Sequence, residues 1–269
     1  MGTPFIERRR RPRGRERFLA DALYRELRFI GRHVRGFWGA IIAFLAVGFG
    51  VGAAAGLLFA AVGHLVMTGA TQAFDERVLR LGASLRTPFL DEAMLEITSL
   101  GNALVLFTMV GIASVFLWLT RHRYSAALLI IAVVGGDIMN DLLKGFYARP
   151  RPGVVEWGTQ VHSASFPSGH AMAAVVAYGS VAFLVGRLES GANLRRATWA
   201  IALLIIVAVG ISRVYLGVHY PSDVIAGFVA GAAWTAFVAA TITAIRFFAE
   251  RKPEVERVER DLHIEESRE

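Results

Sequence analysis

Cysteine is absent from the 269 residues. That removes disulfide frameworks, thiolate metal sites and cysteine nucleophiles from consideration, and it leaves the redox compartment unreadable. Charge is missing from long stretches: Gly36 to Phe74 and Ile97 to Thr120 contain no Lys, Arg, Asp or Glu, nor do Gly169 to Gly186 and Val224 to Ile245. No internal repeat is visible, and low complexity is confined to the arginine-rich start. A short apolar core followed by a small-residue cleavage site is also missing after the long basic beginning, which argues against a cleaved leader and for a first span kept as an anchor.

What is present points to a membrane. Hydrophobic residues make up 55% of the chain and the mean hydropathy is +0.48, too apolar for most soluble folds. The net charge of +7 is concentrated: seven of the ten residues from Arg8 to Arg17 are arginine, and they precede an apolar run. Arginines there act as a topology signal, so nucleic acid is not an expected partner.

A helix needs about 20 apolar residues to cross a hydrocarbon core of about 30 Å. Beside the four uncharged runs, two less clean ones reach that length if their ends carry polar groups into a shared pocket. Tyr124 to Gly136 is followed by Asp137 and Asp141, and Ala197 to Ser212 by Arg213. Intramembrane ionisable groups usually face such a pocket. The expected fold is therefore all-α, an integral membrane bundle of six transmembrane helices with short interfacial helices. Its expected parts are a basic cytoplasmic or interfacial segment (1–36), a six-span domain (37–247) and a charged cytoplasmic tail (248–269).

Arg121 and Arg123 follow the second span, Arg187, Arg195 and Arg196 the fourth, and Arg246, Arg251 and Lys252 the sixth. With the arginines before the first span they define a positive face expected to be cytoplasmic, as are both termini. The opposite face carries 75–96, 144–168 and 213–222. Leu19, Leu23, Leu27, Ile30 and Val34 recur at helical spacing among arginines and predict a basic helix on the inner leaflet. Val78, Leu81 and Leu85, followed by the break Thr87-Pro88, predict short interfacial helices over 75–96. The mixed charges after Glu250 predict a solvated helix or a disordered tail.

Three clusters lie on the outer face: Lys144-x6-Arg151-Pro152, Pro167-Ser168-Gly169-His170, and Ser212-Arg213-x5-His219-x3-Asp223. Lys144, Arg151 and Arg213 supply three cations suited to a phosphoryl group in flight, whose charge is spread over its oxygens. Arginine's planar fork fits phosphate oxygens bidentately, whereas lysine is a compact point charge. Pro167 is placed to occupy the first turn of the fourth span, leaving the Ser168 hydroxyl and the Ser168 and Gly169 N–H groups to face an anion. Gly169 lets the backbone come close. His219 and Asp223 are four apart with Pro221 starting the sixth span between them, so the carboxylate is expected to reach one imidazole nitrogen and leave the other to attack phosphorus. Taken singly, the cations equally suit interfacial anchoring and the histidines a structural role; it is their joint occurrence that indicates a site.

From Lys144 to Asp223 the three clusters resemble the signature of the type 2 phosphatidic acid phosphatase superfamily, whose lipid phosphatases share a site with vanadium haloperoxidases and glucose-6-phosphatase. The resemblance implies that His219 forms a phosphohistidine. It implies that His170 protonates the leaving oxygen and then activates the hydrolytic water. It also implies no metal and no cofactor, with the cations in the role of a metal pair. Expected partners are a membrane lipid substrate and the bilayer; oligomeric state is not legible.

The leading expectation is hydrolysis of a lipid phosphate or diphosphate on the non-cytoplasmic face of a bacterial inner membrane. Prenyl diphosphate, phosphatidylglycerophosphate, phosphatidate and diacylglycerol diphosphate all fit a cationic pocket open to the bilayer. Transfer from the same phosphohistidine to another hydroxyl is the alternative, ahead of a non-catalytic membrane protein; the six spans disfavour a soluble haloperoxidase. Among lesser residues, Asp141 is expected to form a supporting salt bridge with a site cation. Asp137 is a second candidate to pair with a site cation and is assigned no catalytic role, and His64 and His162 are read as incidental. Trp157 and Phe166 are expected at the membrane boundary near the lipid's access route.

Overall fold

The computed structural model describes residues 37–189 and 191–266. The chain divides into residues 1–47 and 48–269, and the account below concerns the second unit. The basic helix expected over Phe18 to Val34 lies outside the described residues.

The described residues form eight helices and no strand: α1 (Phe37–Met67), α2 (Gln72–Ser84), α3 (Pro88–Ser99), α4 (Ala103–Leu119), α5 (Arg123–Tyr147), α6 (Gly169–Leu188), α7 (Ala192–Tyr215) and α8 (Pro221–Glu266). Four stretches are long and apolar enough to cross a membrane: α5, α6, α7 and Pro221–Thr243 of α8. Two bent pairs raise the number to six if each is counted as one span. The end of α1 meets α2 at 81°, and α3 meets α4 at 42°.

The breaks have local causes. The second uncharged run, read as one helix, is interrupted at Leu100–Asn102: the Asn102 side chain caps α4 by accepting from Leu104 N at 2.9 Å, so an Asx cap ends one helix and starts another. The resulting α4 has 17 residues, about 26 Å of rise. Thr87 caps α3 with Pro88 in its first turn, which places the expected break and the expected pair of short helices where the sequence suggested. By contrast, α5 runs 25 residues and carries Asp137, Asp141 and Lys144 in its last turns. It stops at Ala148, which is left-handed at φ 45°. The last helix continues to Glu266.

Helix α6 lies centrally, packed against α4, α5, α7 and α8. Its approach to α8 depends on Gly227 and Gly231, one turn apart. A Cβ on Gly227 would come within 2.7 Å of Ser168 O, and one on Gly231 within 2.8 Å of Met172 O. Backbone atoms cannot yield as a side chain can, so small residues set this spacing, as they do between helices in lipid. The core contains Leu106, Leu128, Leu129, Met172 and Val176. Outward-facing residues are equally apolar: Leu104, Ile112, Phe116 and Leu119 on α4 and Leu203 and Leu204 on α7 are exposed. Apolar surface of that extent suits hydrocarbon rather than water.

Candidate active site

The alternation of α5 to α8 brings the C-terminal ends of α5 and α7 beside the N-terminal ends of α6 and α8. Lys144 lies near the end of α5, Ser168 caps α6, Arg213 ends α7, and Asp223 is in the first turn of α8. Arg123, Arg187, Arg195 and Arg196 lie toward the opposite ends of these helices. His219 sits in the short connection before Pro221 and is buried at 1% exposure.

The ring of His219 has two distinct sides. Arg151 Nη1 lies 3.2 Å from Nε2. A guanidinium can only donate, so Nε2 is the acceptor and the proton of the neutral ring belongs on Nδ1. Burial pushes the pKa of His219 down to about 4, against the opposing pull of Asp223, so the ring is neutral at pH 7 with an Nε2 lone pair available.

On the Nδ1 side, Asp223 is not in direct hydrogen-bond contact as the i, i+4 spacing suggested. Its Oδ2 is 3.6 Å away, beyond hydrogen-bond range. Ser165 stands between them. Its hydroxyl lies 3.5 Å from Nδ1 and donates to Asp223 Oδ2, leaving an oxygen lone pair toward the ring. Tyr220 N also donates to Oδ2, at 2.9 Å.

Arg149, a residue without a role in the sequence reading, anchors the other carboxylate oxygen. Its Nη1 lies 2.5 Å from Asp223 Oδ1 and 2.9 Å from Ser222 Oγ. Its Nη2 reaches Asp75 Oδ2 at 3.1 Å, and its Cζ stacks 4.0 Å over the Tyr220 ring. Asp75, in the first turn of α2, has no exposure. It accepts from Ser222 N at 3.0 Å, Ser222 Oγ at 2.5 Å and Thr71 Oγ1 at 3.0 Å. Nothing in local sequence pattern pairs Arg149 with a carboxylate 74 residues away. Its flanking by Pro150 beside the Arg151 of the motif was the one available signal.

Other groups gathered at this end of the bundle are less saturated. Arg213, 2% exposed, donates from Nη1 to Thr98 Oγ1 at 2.9 Å, while its Nε and Nη2 and the Ser168 hydroxyl have no partner among the described residues. Buried donors without acceptors are costly unless a ligand takes them. Lys144 Nζ donates to Ser163 Oγ at 3.0 Å. Gly169 faces it so closely that a Cβ there would lie 3.3 Å from Lys144 Nζ and 3.0 Å from Asn140 Oδ1. Arg151 is held by carbonyls, from Nε to Ser163 O at 2.7 Å and from Nη1 to Val218 O at 2.6 Å. His170, second residue of α6, packs against the α3–α4 connection, where a Cβ on Gly101 would come within 3.2 Å of His170 Cβ and 2.7 Å of Val209 Cγ1.

All eight predicted site residues thus gather at one end of the bundle, but four surrounding expectations change. Pro167 precedes the cap instead of occupying the first helical turn, because Ser168 takes the cap position. The Ser168 N–H is also not free: it donates to Asp223 O at 3.0 Å, tying the start of α6 to that of α8. Asp141 is exposed and makes no ion pair among the described residues. Phe166 is completely buried against Phe59 and Tyr147, so it belongs to the core and not to the membrane boundary. Trp157 is exposed and donates to Pro152 O at 2.7 Å. Among the described residues no group of three or more His, Asp or Glu side chains is arranged to hold a metal ion.

Comparison with known proteins gives this geometry a context. The PAP2 superfamily profile matches residues 124–247. Phosphatidylglycerophosphatase B of Bacillus subtilis is 35% identical over 178 residues, which cover 65% of this chain and 86% of that protein. An undecaprenyl-diphosphatase of Sulfolobus acidocaldarius is 29% identical over 141 residues, 51% of this chain and 64% of that one. The crystal structure of a transmembrane PAP2 type phosphatidylglycerolphosphate phosphatase from Bacillus subtilis superposes with TM-score 0.67 at 32% identity, covering 72% of this chain and 96% of that one.

Proposed function

Because the chain belongs to the PAP2 superfamily, we propose that it is an integral membrane hydrolase of a lipid phosphate or diphosphate that works through a phosphohistidine on His219. The observation that carries this reading is the buried His219, whose Nε2 faces Arg151, in a site where Arg213 and Ser168 hold buried donors unpaired among the described residues.

In the proposed reaction each step falls to a named residue. The substrate phosphate enters among Lys144, Arg151, Arg213, Ser168 and the N–H of Gly169, and takes the unpaired donors of Arg213 and Ser168. Contact with phosphate oxygens draws Arg151 off Nε2. The Nε2 lone pair then forms a bond to phosphorus as the bond to the leaving oxygen breaks, and His170 gives that oxygen a proton. Nδ1 keeps its proton, so the ring becomes cationic, balanced by Ser165 and Asp223 behind it. His170 enters the first half as the imidazolium and leaves it neutral; in the second half it takes a proton from water and becomes the imidazolium again, the water oxygen bonds to phosphorus, and the P–N bond breaks to restore neutral His219.

Six spans follow when each bent helix pair counts as one. The arginine-bearing ends of α5, α6 and α7 then face the cytoplasm with both termini, and the site opens on the outer face of a bacterial inner membrane. The cations are supplied by the protein, so the proposed reaction proceeds in EDTA and is inhibited by vanadate. A panel of phosphatidylglycerophosphate, phosphatidate and prenyl diphosphate, with acceptor lipids added, measures kcat/KM for each and distinguishes release from transfer. An absolute requirement for a divalent ion contradicts the proposal, as does cytoplasmic labelling of a cysteine placed at position 160 for the topology.

A further inference from the structure

Behind the nucleophile lies a buried ionic string that crosses from α8 to α2. Asp223, Arg149 and Asp75 are all buried and meet at 2.5 Å and 3.1 Å. Ser222 closes the string into a ring: its hydroxyl accepts from Arg149 and donates to Asp75, and its N–H donates to the second oxygen of Asp75. The motif clusters include Asp223 but neither Arg149 nor Asp75, and neither of these two touches His219.

The arithmetic of charge gives the second carboxylate a purpose. Arg149 alone would neutralise Asp223, leaving no net negative charge behind an imidazole that must become cationic when Nε2 bonds to phosphorus. Asp75 occupies the other arm of the guanidinium, so the three groups carry a net charge of −1 in surroundings where Coulomb interactions are weakly screened. The front of the ring faces the opposite sign, with Arg151, Arg213 and Lys144 around the phosphate and His170 beside them. An asymmetric field of this kind favours the transition state over the neutral resting ring.

We infer that Asp75 and Arg149 are positioning residues for phosphoryl transfer, and that Asp75 keeps Asp223 electrostatically negative by occupying the Arg149 guanidinium from the far side. Helix α2 is thereby part of the nucleophile's support. The inference rests on the reading of His219 as the phosphorylated residue.

The test is a charge-complementing cycle read in single turnover with radiolabelled phosphatidylglycerophosphate, following label on His219 and the KM of steady-state release. Asp75→Asn removes the extra negative charge and should slow phosphorylation about tenfold, the scale of coupling within a charged network, with KM little changed. Arg149→Gln leaves two buried carboxylates around Ser222 and should slow it at least as much. The double variant restores the net charge of −1, and its phosphorylation should exceed that of both single variants. A double variant no faster than the slower single variant overturns the inference, because packing alone predicts that outcome. So do single variants that raise KM and leave the phosphorylation rate unchanged. Ser222→Ala removes the hydroxyl that accepts from Arg149 and donates to Asp75, which loosens Asp75's hold on the guanidinium, and carries the test if a charge variant does not fold: it should slow the same step, and a native rate there overturns the inference. The two readings fail differently. Native protein that carries no label on His219 removes the phosphohistidine mechanism, whereas native label on His219 with unaffected variants removes only the role of the string.

Discussion

The two sides of the His219 ring are built on opposite rules. On the Nδ1 side the polar groups among the described residues are matched: Asp223 accepts from Arg149, Ser165 and Tyr220 N, and Arg149 in turn donates to Asp75 and Ser222. Where phosphate is proposed to bind, Arg213 and Ser168 keep buried donors without acceptors among the described residues, and Arg151 is the one group seen among them within 3.2 Å of Nε2. Saturation suits a part that must not move. Unpaired donors suit a part whose partner is the substrate, since their desolvation cost is already met in the fold and is recovered when phosphate arrives.

That contrast can be broken from either side. Removing the ring itself has the largest effect: His219→Ala should lower turnover by at least about a thousandfold, measured as phosphate release, because no other group is placed to attack. Arg213→Ala empties the open side and should cost about a hundredfold in kcat/KM, the size seen when one preorganised donor to a developing anion is lost. Ser165→Ala strikes the saturated side, cutting the link between Nδ1 and Asp223. It should lower kcat about tenfold with KM nearly constant, as loss of a hydrogen bond to a charged group does. If Ser165→Ala instead raised KM and left kcat alone, the two sides would not differ in the way described.

Gly101→Ala is gentler. The added methyl meets Val209 and His170, so release of phosphate from the enzyme should slow a few-fold while labelled enzyme accumulates, as small displacement of a proton-transfer group does. The pH profile gives the finest discrimination. His219 is held neutral to about pH 4 by burial, so protonation removes its lone pair only as the pH falls through that value. After the substrate's own ionisation near pH 6 is allowed for, the acid limb of kcat/KM should fall well below the ordinary histidine range. An acid limb near 6.5 would show the ring to be solvated in the working enzyme.

Much of this was legible in the sequence because the relevant signals are local. Uncharged runs long enough to span, the Thr87-Pro88 break, and Pro221 at the head of α8 all follow from residue chemistry within one element. The eight motif residues could be gathered because each lies at the end of a run. The sequence also held a cue that the uncharged pattern overrode: Gly101-Asn102 is a turn signal, and it divides the second run into α3 and α4. What hydropathy and spacing could not supply was tertiary. Arg149 and Asp75 acquire meaning only when α2 folds against the head of α8, and Ser165 only when the segment before α6 passes behind the imidazole. Phe166 illustrates the same limit, since an aromatic residue beside a span reads as an interface anchor until packing places it against Phe59 and Tyr147.

The central claim is that the Nε2 of His219 carries the phosphoryl group between substrate and water. Rapid quench of the native protein with radiolabelled phosphatidylglycerophosphate in EDTA, followed by peptide mapping under alkaline conditions, tests it most directly. The account predicts an acid-labile, alkali-stable label on His219 that forms and decays within one turnover and is absent from His219→Ala. Label on another residue, or turnover at the native rate in His219→Ala, would contradict it.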